Sequence, residues 1–206
     1  MSFPLNLLDK KMNSVEEACQ ELRDGGWGRA DYGYLYMYCR TFVQHPGLIV
    51  EIGTNLGEGA CIIGNAIRHT GSHLITIDPV FITGNILVPD SSYPPGHNIT
   101  NDLLNISKVI AEQQLDGYIT VIPDYSENVF NRWDGRPIDL IYIDGEHTYE
   151  AIKKDCQWGK YVKPGGHMVF DDWMIGVADG ALESLREQAC WEQAFPHFPM
   201  TFRKKS

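Results

Sequence analysis

The strongest constraint in this chain is a series of short apolar runs that alternate with helix-like periodicity from residue 48 onward. Leu48-Ile49-Val50-Glu51-Ile52 reads as a buried strand leading into a glycine-rich turn. Residues 58–69 carry a helical pattern, with Cys61, Ile62, Ala66 and Ile67 suited to packing on a sheet. Residues 74–78, 118–122, 140–144 and 168–170 read as further strands. Helices are expected around Leu103, Ile106, Val109 and Ile110, and over 148–158. Lys163-Pro164-Gly165-Gly166 is a turn signal before the strand at 168–170. Nearly continuous apolar strands separated by helices imply a parallel sheet covered on both faces, an α/β fold.

In such a sheet, functional residues collect at the carboxyl ends of the strands. Glu51, Asp78, Asp124, Asp144, Asp171 and Asp172 all fall at or just beyond strand ends. The acidity is therefore concentrated where a ligand would bind. Two stretches lie outside the alternating pattern. The first 47 residues read as helical, with Tyr32, Tyr34, Tyr36 and Tyr38 near their end. Residues 79–100 are rich in Gly, Pro, Ser and Asn and too long for a simple connection, which suits a lid. Neither a repeat nor a second domain is visible.

Composition narrows the partners. A formal net charge of −10 argues against nucleic acid, whose phosphates are held mainly by Lys and Arg. No apolar run is long enough for a bilayer, and the first residues lack the pattern of a secretory signal. The five cysteines are scattered without metal-ligand spacing and fit a reducing, cytoplasmic setting. A small-molecule partner, with no nucleic acid and no membrane, is expected of a monomer or a homo-oligomer.

Gly53, Gly57 and Gly59 follow a strand and open a helix, the setting of a nucleotide-binding turn. The dinucleotide fingerprint fails, because Asn55 stands where the second glycine must let the backbone approach a pyrophosphate. Glu51 and Glu58 flank the turn and would repel a pyrophosphate while tolerating a sulfonium and an ammonium group. Asp78 ends the second strand, where a carboxylate can accept from two ribose hydroxyls. Asp124 follows the third strand, placed to receive an adenine amino group, with Tyr125 against the ring.

These residues resemble a known family. Val50-Glu51-Ile52-Gly53-Thr54-Asn55-Leu56-Gly57-Glu58-Gly59 looks like motif I of class I S-adenosylmethionine-dependent methyltransferases, and Asp78 matches their ribose-binding acid. The stretch from Ile138 through Asp144-Gly145-Glu146-His147-Thr148-Tyr149-Glu150, with Lys163-Pro164-Gly165-Gly166 and Phe170-Asp171-Asp172-Trp173, is similar to a metal-dependent branch. That branch includes macrocin-type and mycinamicin-type sugar O-methyltransferases and cephalosporin hydroxylase-like proteins. The resemblance covers about residues 48 to 173. It implies a Rossmann-like three-layer sandwich with a mostly parallel sheet of order 3-2-1-4-5-7-6. Little chain follows Trp173, so a shortened far edge is expected. The whole chain, 1–206, is expected to form a single methyltransferase domain.

In that order Asp144 stands beside Asp171 and Asp172, and three carboxylates so close need a counter-charge. A hard divalent cation such as Mg²⁺ would supply it, and the resemblance gives these three positions the role of metal ligands. The expected S-adenosylmethionine site comprises Glu51, Gly53, Thr54, Asn55, Gly57, Gly59, Asp78, Asp124 and Tyr125. His147 is the candidate base for an acceptor hydroxyl, its role implied by the resemblance, with Asp144 beside it. The expected activity is metal-assisted O-methylation of a small hydroxylated or glycosylated metabolite. A cephalosporin hydroxylase-like enzyme and a non-catalytic cofactor binder are the alternatives.

Overall fold

The computed structural model describes residues 20, 31–79, 103–171, 173, 175–195 and 200–206. After helix α1 (Asp31–Phe42) come β1 (Leu48–Ile52), α2 (Glu58–Ile67) and β2 (His73–Ile77). Helix α3 (Leu103–Glu112), β3 (Ile119–Ile122), α4 (Ser126–Asn131) and β4 (Ile138–Ile143) follow. Then come α5 (Tyr149–Asp155), a 3₁₀ turn (Cys156–Lys160), β5 (Val162–Phe170), α6 (Ile175–Gln188), β6 (Trp191–Phe195) and β7 (Met200–Lys204). The seven strands form one sheet of order β3-β2-β1-β4-β5-β7-β6. The first five run parallel, and β7 is antiparallel to both β5 and β6. This is the α/β order expected from the resemblance.

Both faces of the sheet are covered, and the strands alternate between two cores. Ile49, Leu74, Leu140, Tyr142 and Val169 point to one face, against α1, α2 and α3. Val50, Ile52, Ile75, Ile77, Ile141, Ile143, Met168 and Phe170 point to the other, with Ile152, Val177, Ala181 and Leu185 of α5 and α6. Each fully buried Ile or Phe contributes about 2–3 kcal/mol of burial, so the β4–β5 centre anchors the edge beyond it. The tyrosine run of α1 resolves by helical period. Tyr32, Leu35, Tyr36, Cys39 and Val43 are buried at three- and four-residue spacing, while Tyr34 and Tyr38 are only partly covered.

Several local expectations shift. The helix expected over 148–158 divides, with Thr148 capping α5 by accepting from the Ala151 N–H at 3.3 Å before the chain tightens into the 3₁₀ turn. The Lys163-Pro164-Gly165-Gly166 turn lies inside β5 as an outward bulge. On β4 the pairing advances from Ile138 to Leu140 while on β5 it moves from Val162 to His167, and Gly165 takes φ 79° there. The far edge is complete in strand number, with β6 and β7 of five residues each. Apart from Pro79, the expected lid at 79–100 lies outside the described residues, as does Asp172.

Candidate active site

Backbone hydrogen bonds carry the parallel ladder one residue past the strands. Gly53 N–H donates to Ile77 O at 2.9 Å, Asp144 N–H to Ile52 O at 2.8 Å, Asp171 N–H to Ile143 O at 3.0 Å, and Asp78 N–H to Ile122 O at 3.2 Å. Asp78, Gly53, Asp144 and Asp171 thus stand in a row along the carboxyl edge, the position a ligand occupies in an open α/β sheet.

The turn between β1 and α2 depends on left-handed backbone. Gly53 has φ 98°, Gly57 has φ 84°, and Asn55 adopts φ 44°, which asparagine tolerates better than most residues. A side chain at Gly53 would also overlap the Asp144 carbonyl oxygen, so β1 and β4 meet there through backbone alone. Asn55 N–H donates to Asp78 Oδ2 at 2.8 Å, which ties the turn to the end of β2. At Gly59 a Cβ would strike Glu51 Oε1, so this glycine makes room for the carboxyl beneath it.

Glu51 lies beneath the turn. It is fully buried, and burial pushes its carboxyl well above the usual range. A hydrogen bond from Thr76 opposes that shift, and the negative Asp144 and Asp78 reinforce it. Glu51 therefore lies enclosed beneath the turn, not exposed on its rim. Thr76 Oγ1 donates to Glu51 Oε2 at 2.5 Å and lies 2.5 Å from Thr54 Oγ1, forming a buried polar chain. Glu58, the other flanking acid, accepts from the Tyr32 hydroxyl at 2.9 Å, so α1 grips the start of α2.

Asp124 and Tyr125 follow β3 as expected, but the Asp124 carboxylate has protein partners. It accepts from Tyr125 N–H at 2.8 Å and Asn128 Nδ2 at 2.8 Å, and it pairs with Arg132 at 2.5 Å. The Asn128 and Arg132 hydrogen bonds hold it below the usual carboxylate range. The structure therefore turns Asp124 toward α4, and an adenine amino group would have to compete with these partners. Tyr125 is half exposed, and Leu56 and Leu103 are the other large apolar side chains exposed among the described residues. All three leave the carboxyl edge or the helix packed on it: Leu56 lies in the β1–α2 turn, Tyr125 between β3 and α4, and Leu103 one turn from Ile106, which abuts Gly57.

Beside the turn, ligand atoms of Asp144, His147 and Asp171 all lie within 4.8 Å of one another. His147 Nε2 stands 3.5 Å from Asp144 Oδ1, and Asp171 is buried. Two carboxylates and an imidazole at this spacing fit a hard divalent cation, which would offset the packed negative charge.

Sequence reasoning missed three residues. Thr76 and Tyr142 flank Glu51 in register, giving a polar row across β2, β1 and β4. Each of these three stands two residues before Asp78, Gly53 or Asp144, and that shared offset was the available signal. The third is Asp155, whose buried carboxylate accepts from Ser126 Oγ at 2.5 Å and lies against Gly145. It joins the loop after β3 to the loop after β4, a contact between helices that no local pattern announces.

Comparisons with known proteins bear on the family and the fold. An uncharacterized protein, R132, of Acanthamoeba polyphaga mimivirus is 42% identical over 136 residues, covering 65% of this chain and 54% of the viral protein. The chain thus spans about half the length of that relative. Among solved structures, the O-methyltransferase TomG from Streptomyces achromogenes, in complex with S-adenosylmethionine, is similar with a TM-score of 0.57 and 14% identity over 98% of this chain and 95% of its own. The apo form of CalS11, a TDP-rhamnose 3'-O-methyltransferase of calicheamicin biosynthesis, gives a TM-score of 0.60 and 13% identity over 97% and 90%. At these identities the two structures share the fold. The family described as "Methyltransferase domain" matches residues 50–173, which include the glycine turn, Asp78, Asp144, His147 and Asp171. That match spans more than half of the 206 residues, and the chain belongs to this methyltransferase family.

Proposed function

We propose that this methyltransferase uses S-adenosylmethionine to methylate a hydroxyl oxygen of a small, sugar-like acceptor, with a divalent cation held by Asp144 and Asp171. The observation that carries the reading is the meeting of Asp144, His147 and Asp171 within 4.8 Å, directly beside the glycine turn. Asp172 is the third ligand in this reading and lies outside the described residues. The sugar-acting neighbour CalS11 and the complex of TomG with S-adenosylmethionine support the choice of acceptor class and methyl donor.

The chain's own residues divide the work. Asp78 fixes the turn through Asn55 and offers carboxylate lone pairs to ribose hydroxyls. Leu56, Leu103 and Tyr125 supply apolar contact for the adenine. When bound, a divalent cation such as Mg²⁺ lowers the pKa of a coordinated hydroxyl and orients it. His147 takes the proton from the acceptor hydroxyl, and Asp144 at 3.5 Å orients the ring and stabilises its charged form. The donor's methyl is then in reach of an oxygen nucleophile positioned on the same edge. The buried free cysteines Cys39, Cys61 and Cys156 suit a reducing, cytoplasmic setting. No described helix is long and apolar enough to cross a membrane.

A second reading makes His147 a cation ligand, because its ring nitrogen belongs to the same cluster. Two measurements decide. Transfer of a labelled methyl group is assayed against a panel of nucleotide sugars and glycosides with Mg²⁺, and a methylated product is expected only with hydroxylated acceptors. His147→Ala should cut turnover at least about 100-fold while leaving Mn²⁺ affinity within a few-fold. Loss of Mn²⁺ affinity equal to that of Asp171→Asn would make His147 a ligand. Methyl transfer only to nitrogen or carbon acceptors would overturn the proposed chemistry.

A further inference from the structure

Tyr142 sits in the middle of the sheet and is fully enclosed, yet it ends in a polar atom at the acidic cluster. It is 2% exposed, it pairs in register with Glu51 on one side and Val169 on the other, and its ring packs in the core shared by α1 and α2. The ring passes under the first turn of α2, with Cε1 3.7 Å from the place a Gly59 Cβ would occupy. Its hydroxyl points to Asp144 Oδ2 at 3.5 Å. The same hydroxyl also interacts with the Asp171 carboxylate.

A buried tyrosine hydroxyl needs a partner, and here both partners are carboxylates from neighbouring strand ends. The phenol has one proton to give and two acceptors to give it to. It reaches the carboxylates from within the sheet. Groups placed in this way set the rotamers of metal-binding side chains and commonly govern affinity by about 10–100-fold.

We infer that Tyr142 is a positioning residue for the proposed cation site, its hydroxyl holding Asp144 and Asp171 in one arrangement before the cation arrives. The inference rests on the cation reading given above and adds a residue that does not touch the ion. Tyr142→Phe is the natural probe, because it keeps the ring in the core and removes only the hydroxyl.

The test titrates Mn²⁺ into the full chain, wild type and Tyr142→Phe, by calorimetry and by the ion's paramagnetic resonance signal. S-adenosylhomocysteine affinity and melting temperature are measured on the same samples. Tyr36→Phe, a buried tyrosine of the same core away from the acids, is the control. The expected result is Mn²⁺ affinity reduced about 10-fold or more in Tyr142→Phe alone, with S-adenosylhomocysteine affinity and melting temperature close to wild type. Equal Mn²⁺ affinity in wild type and Tyr142→Phe overturns the positioning role and leaves the cation site standing. A parallel fall in cofactor affinity and melting temperature also overturns it, by making the hydroxyl a packing element. Absence of Mn²⁺ binding by wild type overturns the cation reading and this inference together.

Discussion

The backbone N–H of Asn55 donates to Asp78 Oδ2 at 2.8 Å, so the acid at the end of β2 holds the turn at the end of β1. One carboxylate thereby shapes the loop and, in the proposed reading, accepts from the ribose. Asp78→Ala removes a charge-assisted hydrogen bond and the proposed ribose acceptor together, each worth about 1.5–3 kcal/mol. S-adenosylhomocysteine affinity should fall about 100-fold or more by calorimetry. Asp78→Asn can still accept from Asn55 and should fall less. Equal affinity in all three proteins would remove Asp78 from the site.

Gly53 and Gly57 both take positive φ, but only Gly53 faces backbone at the point where a Cβ would stand. At Gly57 the nearest atom to a Cβ is an Ile106 methyl at 3.5 Å, an ordinary contact. Gly57→Ala should therefore cost about 1–2 kcal/mol of left-handed strain. Gly53→Ala must also part β1 from β4 and should cost clearly more, with loss of cofactor binding. Urea unfolding of the two variants compares them, and equal losses would mean that the Asp144 carbonyl yields easily.

Asp155 gives a pH dependence with a definite sign. Burial raises its carboxyl to about 6, against the hydrogen bond from Ser126. The folded value lies above the unfolded one, so the folded chain holds the proton more tightly. This contribution to stability is full below about pH 4 and is lost as pH rises through about 6. Asp155→Asn keeps the Ser126 contact without the titration. Between pH 4 and 7 its stability should rise relative to wild type by up to about 3 kcal/mol, measured by urea unfolding. Parallel profiles would show that the site relaxes or admits water.

At the opposite edge of the sheet Asp139 is buried and accepts from Leu48 N–H at 3.0 Å, with Lys163 and His45 beside it. This pairing fastens the start of β1 to β4 and to the bulge in β5. Asp139→Ala strands the Leu48 N–H and the Lys163 charge. It should destabilise the fold by about 2–4 kcal/mol while leaving S-adenosylhomocysteine affinity near wild type below the melting range. A specific loss of affinity at constant stability would tie this end of the sheet to the site.

Much of this arrangement is legible in the residues. Period and punctuation locate the strands, and the acids after them mark the functional edge, because a parallel sheet buried on both faces leaves little else polar. Tertiary contacts decide the rest. Glu51 reads as a flank of the turn until the structure shows it enclosed by Gly59 and Thr76. Asp124 reads as a free acceptor until Arg132, eight residues onward, reaches back to it. The bulge at Gly165 reads as a turn because both need the same backbone. Tyr142 and Asp155 gain their partners only when strands and helices distant in sequence come together.

In the proposed function the turn from Gly53 to Gly59, closed by Asp78, binds S-adenosylmethionine. Isothermal titration of the wild-type chain with S-adenosylmethionine and with S-adenosylhomocysteine tests it most directly. One site per chain is expected, with micromolar affinity for both and competition between them. No heat and no competition at millimolar ligand, with folded protein, would contradict it.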